Sequence, residues 1–486
     1  MKLSKNLTKN IETLKKDLSS FDVIFHDIKL KNKKGVLVFI DSITDKALIS
    51  KTVLLPLSNQ NISGVKGIKK ALINAETEEI TDYDLALDTI SNGNALLIID
   101  GLSTAFSLGV KRVEKRAITE PPTSVVLKGP REGFVEDITC NLSLIRRRLK
   151  TAKLQIENLS IGKQSKTTVC ICYIKGIVKK GLPEKIKKRL KSFEIDAILD
   201  SSYITRLISD HAHSLFKQVG TTEKPDVLVA KILEGRLAII VDGSPVALTL
   251  PYMLLEDFQS PEDYYTSVYK TNFARFIRIT SVFLSLALPS FYVSAQLFHL
   301  QLIPLPFLLT IVNSIKGIPL SPSLEMFFTL LIFEILNEAS LRMPKYVGMV
   351  VSIVGGLVLG ETAVNAGIIS APALMIIALS GICLYTVPDL LQTFSLLRFL
   401  FLVVAGTLGG YGLILGLCAL LIYMVSFETF ETPLLAPFSP LVKKDLKDSV
   451  YKETLFGLNK RPITIGSKNK TRLKIKEKVN EKRTNR

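Results

Sequence analysis

The residue types and spacings best suited to chemistry lie on two faces of one apolar stretch, Tyr346 to Gly367. Gly348, Ser352, Gly356 and Gly360 recur every fourth residue, and a stripe of small side chains lets a neighbouring helix backbone approach closely. At about 100° per residue, Val351, Val354, Val358, Glu361, Thr362 and Asn365 fall on the opposite face. A ring of such helices, locked together through the small faces, would set a valine constriction beside a polar ring. The matching chemistry is the passage of monovalent cations, with a carboxylate to select and an apolar constriction to gate by dewetting. An ordinary packed membrane helix carries the same small-residue stripe, and a lone carboxylate can sit at an interface, so the residues by themselves leave both readings open.

Other candidates are weaker. Glu334 and Glu338 lie one helical turn apart with Arg342 a turn further on, the spacing of a charge cluster that fixes helix packing. Cys170 and Cys172 alternate on one expected strand without a second Cys or His pair nearby in sequence, so buried strand thiols are expected rather than a metal site. His211 and His213 fall on an expected helix, where residues two apart diverge. Asp100 and Asp242 each precede a Gly after a strand, which is turn chemistry. Residues 1–278 hold no P-loop, no GxGxxG after a strand, no GxSxG and no HExxH. The expectation is a protein with no catalytic residues, no cofactor and no metal.

These candidates are positioned by a charge-poor block. From Ile279 to Phe427 the basic residues are Lys316, Arg342, Lys345 and Arg398, and the acidic ones Glu325, Glu334, Glu338, Glu361 and Asp389. A mid-bilayer charge costs roughly 2.5–3.5 kcal/mol on insertion scales, so the depletion predicts a polytopic helical membrane domain over 276–427. Candidate spans are 279–299, 323–341, 346–368, 371–388 and 398–426, with a short Pro-bounded piece at 302–315. Lys270, Arg275 and Arg278 before the block and Lys443, Lys444 and Lys447 after it place both ends in the cytoplasm by the positive-inside rule. Two cytoplasmic ends require an even number of crossings, and the count stays open between four and six. Residues 1–30 are charged and lack an apolar core, so the region before the block is expected to remain cytoplasmic. Five scattered cysteines fit a reducing compartment.

Before the block, apolar strands such as Gly35–Asp41 and Ala95–Asp100 alternate with helical stretches, an α/β pattern. Ile90–Gly101 (ISNGNALLIIDG) aligns without a gap with Ile232–Gly243 (ILEGRLAIIVDG), and Val36 onward echoes Val169 onward. Two related α/β subdomains follow, over 35–150 and 151–275, after an N-terminal helical segment at 1–34. A basic helix around 141–156 is expected to join them. Residues 428–486 form a basic cytoplasmic tail. The net charge of +18 suits anionic lipid at the inner leaflet better than nucleic acid.

Lys128–Lys150 (KGPREGFVEDITCNLSLIRRRLK) reads as a well-capped helix with an acidic start and Arg146, Arg147 and Arg148 at its end. Arg131 and Glu132 complete a candidate docking surface for lipid or a partner chain, although a capped connecting helix explains the same residues. This stretch resembles the signature of the A subunits of the GerA family of spore germination receptors. PEDYY at 261–265, RFIRI at 275–279, LIPLPFLL at 302–309, FEILNEASLRMP at 333–344, VSIVGGLVLGETAVNAG at 351–367 and SPL at 439–441 extend the resemblance over nearly the whole chain. It implies a multi-pass protein of the spore inner membrane, a homo-oligomer that works with a transporter-like B subunit and a lipoprotein C subunit. It also implies a nutrient-gated ion channel, the alternative being a non-conducting scaffold of the receptor complex.

Overall fold

The computed structural model describes residues 2–30, 33–59, 64–74, 76–112, 126–344 and 360–474, together with 347, 356 and 358. The chain forms two compact units, one of residues 1–252 with 455–486 and one of residues 253–454.

The first unit contains two layered subdomains of like topology. In the first, α1 (Leu7–Asp17), β1 (Val23–Lys29) and β2 (Lys34–Ile40) are followed by α2 (Lys46–Ile49), α3 (Leu55–Asn59) and α4 (Gly64–Ala71). Then come β3 (Thr77–Ile80), α5 (Tyr83–Ser91), β4 (Ala95–Ile99) and β5 (Ala105–Leu108). In the second, α6 (Ile138–Arg148), β6 (Leu154–Ile161), β7 (Thr167–Ile174), α7 (Leu182–Lys191) and α8 (Ser201–Ile208) precede β8 (Gly220–Thr222), α9 (Pro225–Glu234), β9 (Leu237–Val241) and β10 (Ala247–Leu250). The sheets run β1-β2-β4-β5-β3 and β6-β7-β9-β10-β8, the same order twice. Helices and strands alternate along the chain, yet the described pairings are antiparallel, with Leu37 opposite Leu97 and Ile171 opposite Ile239.

Both faces of the first sheet are covered, which is why β2 and β4 are apolar at consecutive positions rather than alternating. Val36, Val38 and Ile40 pack beneath α1 and α5, whereas Leu37 and Phe39 pack against Ile49, Val53 and Ile68. In the second subdomain Cys170, Cys172 and Ile240 lie under Leu142 and Ile145 of α6 and Leu228 and Ile232 of α9.

The repeat is longer than the aligned segment suggests. Helices α1 and α6 are equivalents: Asn10 and Asn141 are both buried and each closes a loop before its helix, with Asn10 bonding Ser4 and Asn141 bonding Val135. The expected N-terminal helical segment is therefore the opening of the first subdomain, with β1 as its edge strand. The expected joining helix opens the second. Residues 455–474 also fold into this unit instead of trailing as a free tail. Ile465 is buried, Arg461 Nε donates to the Leu233 carbonyl (2.5 Å), and the Lys468 amide donates to the Ile177 carbonyl (3.1 Å).

The second unit is helical: α10 (Val268–Phe298), α11 (Leu305–Ile315), α12 (Pro322–Arg342), α13 (Gly360–Asn365), α14 (Ala371–Leu384) and α15 (Leu391–Ser426). Val268–Phe298 and Pro388–Ser426 are long and apolar enough to cross a membrane. Helices α11 and α14, of 11 and 14 residues, fall short of the ~20 that a crossing takes. Helix α15 is broken at Gly409, whose φ of 62° and ψ of −149° only glycine adopts freely, and Phe298 stands where its Cβ would be.

Candidate functional site

Of the two-faced stretch, Gly348, Ser352, Val351 and Val354 lie outside the described residues. Among the described residues nothing lies within 4 Å of where a Cβ on Gly356 would be, whereas a Cβ on Gly360 would meet Leu374 at 3.2 Å, so at Gly360 the small face has a neighbour within the chain. Val358 is 51% exposed, and Glu361, Thr362 and Asn365 are exposed as well. The four described members of the opposite face are thus left uncovered by the other described residues.

The acidic cluster divides. Glu338 pairs with Arg342 one turn on (2.8 Å), at the surface. Glu334 instead reaches across to Arg398 of α15, an arginine that is 1% exposed. Arg398 Nη1 donates to Ser380 Oγ (3.1 Å), and Ser380 Oγ donates to the Ser285 carbonyl (2.7 Å), so one guanidinium ties α12, α14, α15 and α10 together. Phe333 lies 5.9 Å beneath the same guanidinium. Its signal in the sequence is a single arginine in an otherwise uncharged run.

The docking residues divide too. Glu132 accepts from Arg148 and stands 3.8 Å from Arg147, a local pairing across the start and end of the α6 region. Arg146 is a correction to the docking expectation, because it is 2% exposed and spends its donors inside the chain. Its Nε and Nη2 bind the two oxygens of Asp22 (2.9 and 2.6 Å), and Nη2 also reaches Ser20 Oγ (2.8 Å). Ser20 Oγ in turn accepts from the Ile156 amide on β6 (3.0 Å), which locks the first subdomain to the edge strand of the second. Arg131 lies on the loop before α6 and does not enter this lock.

Asp100 and Asp242 do more than turn the chain. Asp100 Oδ1 accepts from the Leu7 amide (3.2 Å) and Asp242 Oδ1 from the Ile138 amide (3.3 Å), so each carboxylate sits at the N-terminus of its subdomain's first helix, where the helix dipole favours it. Cys170 and Cys172 are buried, and burial pushes the Cys170 thiol up to about 12, away from reactive thiolate chemistry. His211 and His213 lie beyond the end of α8 rather than on a helix. Gln218 holds the turn by accepting from the His211 amide (3.0 Å) and donating to its carbonyl (2.5 Å).

Two of the quoted motifs, PEDYY and RFIRI, converge. Asp263, 2% exposed, accepts from Arg275 Nε (3.0 Å) and Arg278 Nη1 (2.9 Å). Arg275 also reaches Asp448 Oδ1 (3.2 Å) and the Ser449 carbonyl (3.0 Å), and Lys452 Nζ donates to the Asp263 carbonyl. The Lys452 amide donates to Asn272 Oδ1 (2.6 Å) while Asn272 Nδ2 returns a bond to the Lys452 carbonyl (3.2 Å). Burial pushes the Lys452 ammonium below the usual lysine value, and nearby Asp448 offsets only part of that. The start of α10 is clasped in this way to the segment that follows α15.

The family model described as "Bacillus/Clostridium GerA spore germination protein" matches residues 9–464. Among similar proteins, spore germination protein KA of Bacillus subtilis (strain 168) is 35% identical over 97% of this chain and 88% of its own length. An uncharacterized membrane protein of the same organism, YfkQ, is 34% identical over 96% and 93%. Spore germination protein GerLA of Bacillus cereus is 32% identical over 97% and 98%. A crystal structure of the N-terminal domain of the A subunit of the Bacillus megaterium spore germinant receptor GerK3 is 28% identical, covers 51% of this chain and 96% of that one, and superposes with a TM-score of 0.41.

Proposed function

Because the chain belongs to the GerA spore germination family, we propose that it is the A subunit of a nutrient-responsive receptor and assembles with copies of itself into a cation channel of the spore inner membrane. The transporter-like B subunit and the lipoprotein C subunit are its partners. The membrane setting is supported by an inverted distribution of polarity in the second unit. Ser285, Ser290, Gln296, Thr329, Ser380 and Arg398 are buried, while Phe291, Phe307, Ile335, Leu400, Tyr411 and Ile422 face outward. Outward apolar surface on that scale is stable against lipid and not against water.

The observation that carries the channel reading is the outward stripe Val358, Glu361, Thr362 and Asn365. Side chains left uncovered by the other described residues support a reading in which they line an axis shared by several copies of the chain. Nutrient binding to the B subunit would then act as a population shift toward an open ring, in proportion to its differential affinity for that state. In this mechanism Val358 forms the apolar constriction and Glu361 the cation-selective ring.

The test is electrical. The reconstituted receptor should pass cation currents whose size or selectivity changes in Glu361→Gln, and spores carrying Val358→Ala should leak cations or germinate without nutrient. A complex that assembles fully but conducts nothing, with both variants behaving as the native protein, would leave the scaffold reading in its place.

A further inference from the structure

The outward face of α10 stays apolar on both sides of the point where the charge-poor block starts. At about 100° per residue, Tyr269, Phe273, Phe276, Phe283 and Phe291 fall on one stripe of the helix. Among the described residues little covers it: Tyr269 is 88% exposed, Phe273 66% and Phe276 65%, and Phe283 and Phe291 further along are exposed as well. The other face of the same first turns is closed. Thr271 and Arg275 are buried there, and Asp263 holds Arg275 and Arg278. Lys270, next to Tyr269, is exposed.

A helix face that meets water is polar, so aromatic side chains repeated over two turns call for a cover. The length of α10 points to what that cover is. Its 31 residues rise about 46 Å, against about 30 Å for a hydrocarbon core and roughly 40–45 Å for a bilayer with its headgroups. If α10 crosses, part of it stands at headgroup depth. Aromatic rings are at home at that depth, and a lysine beside them meets lipid phosphate. We propose that Tyr269, Phe273 and Phe276 are seated in the headgroup layer on the side from which α10 enters, so that lipid covers this face and the Asp263 clasp covers the other. The inference rests on the membrane reading of the second unit and adds to it a lipid contact in a stretch that the charge-poor block leaves out.

The chain has no tryptophan, so a single one introduced on the stripe reports its own surroundings without background. In the full-length protein in proteoliposomes, Phe273→Trp should lose emission to lipids brominated near the glycerol end of their chains, and lose less to lipids brominated near the methyl end. In Phe283→Trp, about 15 Å further along α10, the balance should move toward the methyl-end lipid. Phe276→Trp repeats the measurement should the Phe273 variant fail to fold. Quenching of Phe283→Trp with none in Phe273→Trp or Phe276→Trp would overturn the proposal and leave the membrane reading intact. Emission at short wavelength would then mean that protein covers the stripe, and emission at long wavelength that water does. A Phe283→Trp signal untouched by either lipid would remove the membrane reading itself and this proposal with it.

Discussion

Glu157 on β6 shows how one half-buried carboxylate ties stability to pH. Burial alone would raise its pKa, but the ion pair with Lys187 and the bond from Tyr173 Oη (2.7 Å) outweigh it and hold the carboxyl below the ordinary value of 4.5. A folded-state pKa below the unfolded one contributes stability that is present above the unfolded pKa and is lost as pH falls through the folded one. Replacing Glu157 by Gln should therefore lower the urea midpoint of the first unit at pH 7, with the gap to the native protein closing as pH falls below the ordinary value of 4.5. A gap that stays the same on acidification would show that the carboxylate's charge is not what stabilises the site. The same scale separates the arginines of α6: neighbours in sequence, Arg146 and Arg147 end in a dry interior and at the surface respectively. Nothing in the run LIRRRLK distinguishes them, because the partner of Arg146 lies on a different element.

At the scale of elements, Arg146 joins repeat to repeat. Removing one member of a buried pair leaves the other charged, dry and unmatched, at a cost of roughly 3–5 kcal/mol. Arg146→Met should thus lower the thermal midpoint of the full chain far more than Arg147→Met, and the double change Asp22→Asn with Arg146→Met should recover part of the loss. If the double variant is no better than the single one, the lock is packing and not charge.

The duplicated strands were legible because a fully covered strand must be apolar at every position and the following Asp-Gly is constrained by its turn. Gly93 and Gly235, at φ of 90° and 108°, are held by the same need after α5 and α9. The first helix of each repeat was hidden for an equally physical reason. Helices α1 and α6 begin at Leu7 and Ile138, while β4 and β9 begin at Ala95 and Leu237, so the intervening segments differ in length and no single offset aligns both. What the helices share, a buried Asn and apolar residues every third or fourth position, is too common in amphipathic helices to register as a repeat. Helix α11 and the break at Gly409 were visible as a Pro-bounded piece and a glycine cluster, but composition does not say which glycine takes the non-helical conformation.

For the whole molecule, the clasp around Asp263 makes the approach to the first long helix and the exit from the last one a single structure. Asp263→Asn would leave Arg275, Arg278 and Lys452 with less than their complement of negative charge. The segment around Asp448–Lys452 should then open more readily, by roughly 2 kcal/mol, or ~30-fold faster hydrogen exchange at the Lys452 amide. Exchange at native rates would mean that the clasp is held by the Asn272 bonds and the backbone alone. Candidate residues for conduction could be named from the sequence since small and polar side chains segregate by face. The pairing of Glu334 with Arg398 could not, since residues so far apart in the chain meet only through helix packing.

The return of residues 455–474 to the first unit also has a meaning in time. Ribosomes complete both subdomains before any helix of the second unit emerges, and domains fold as they are made. At that moment the corner formed by Ile177, Leu233 and Gly235 is bare: the carbonyl that Arg461 later bonds is open to water, and Ser467 has not yet filled the space that Gly235 leaves by lacking a side chain. A stretch made only after the helices of the second unit closes it. A chain that stops short of Leu455 keeps that corner open to water on an otherwise finished domain.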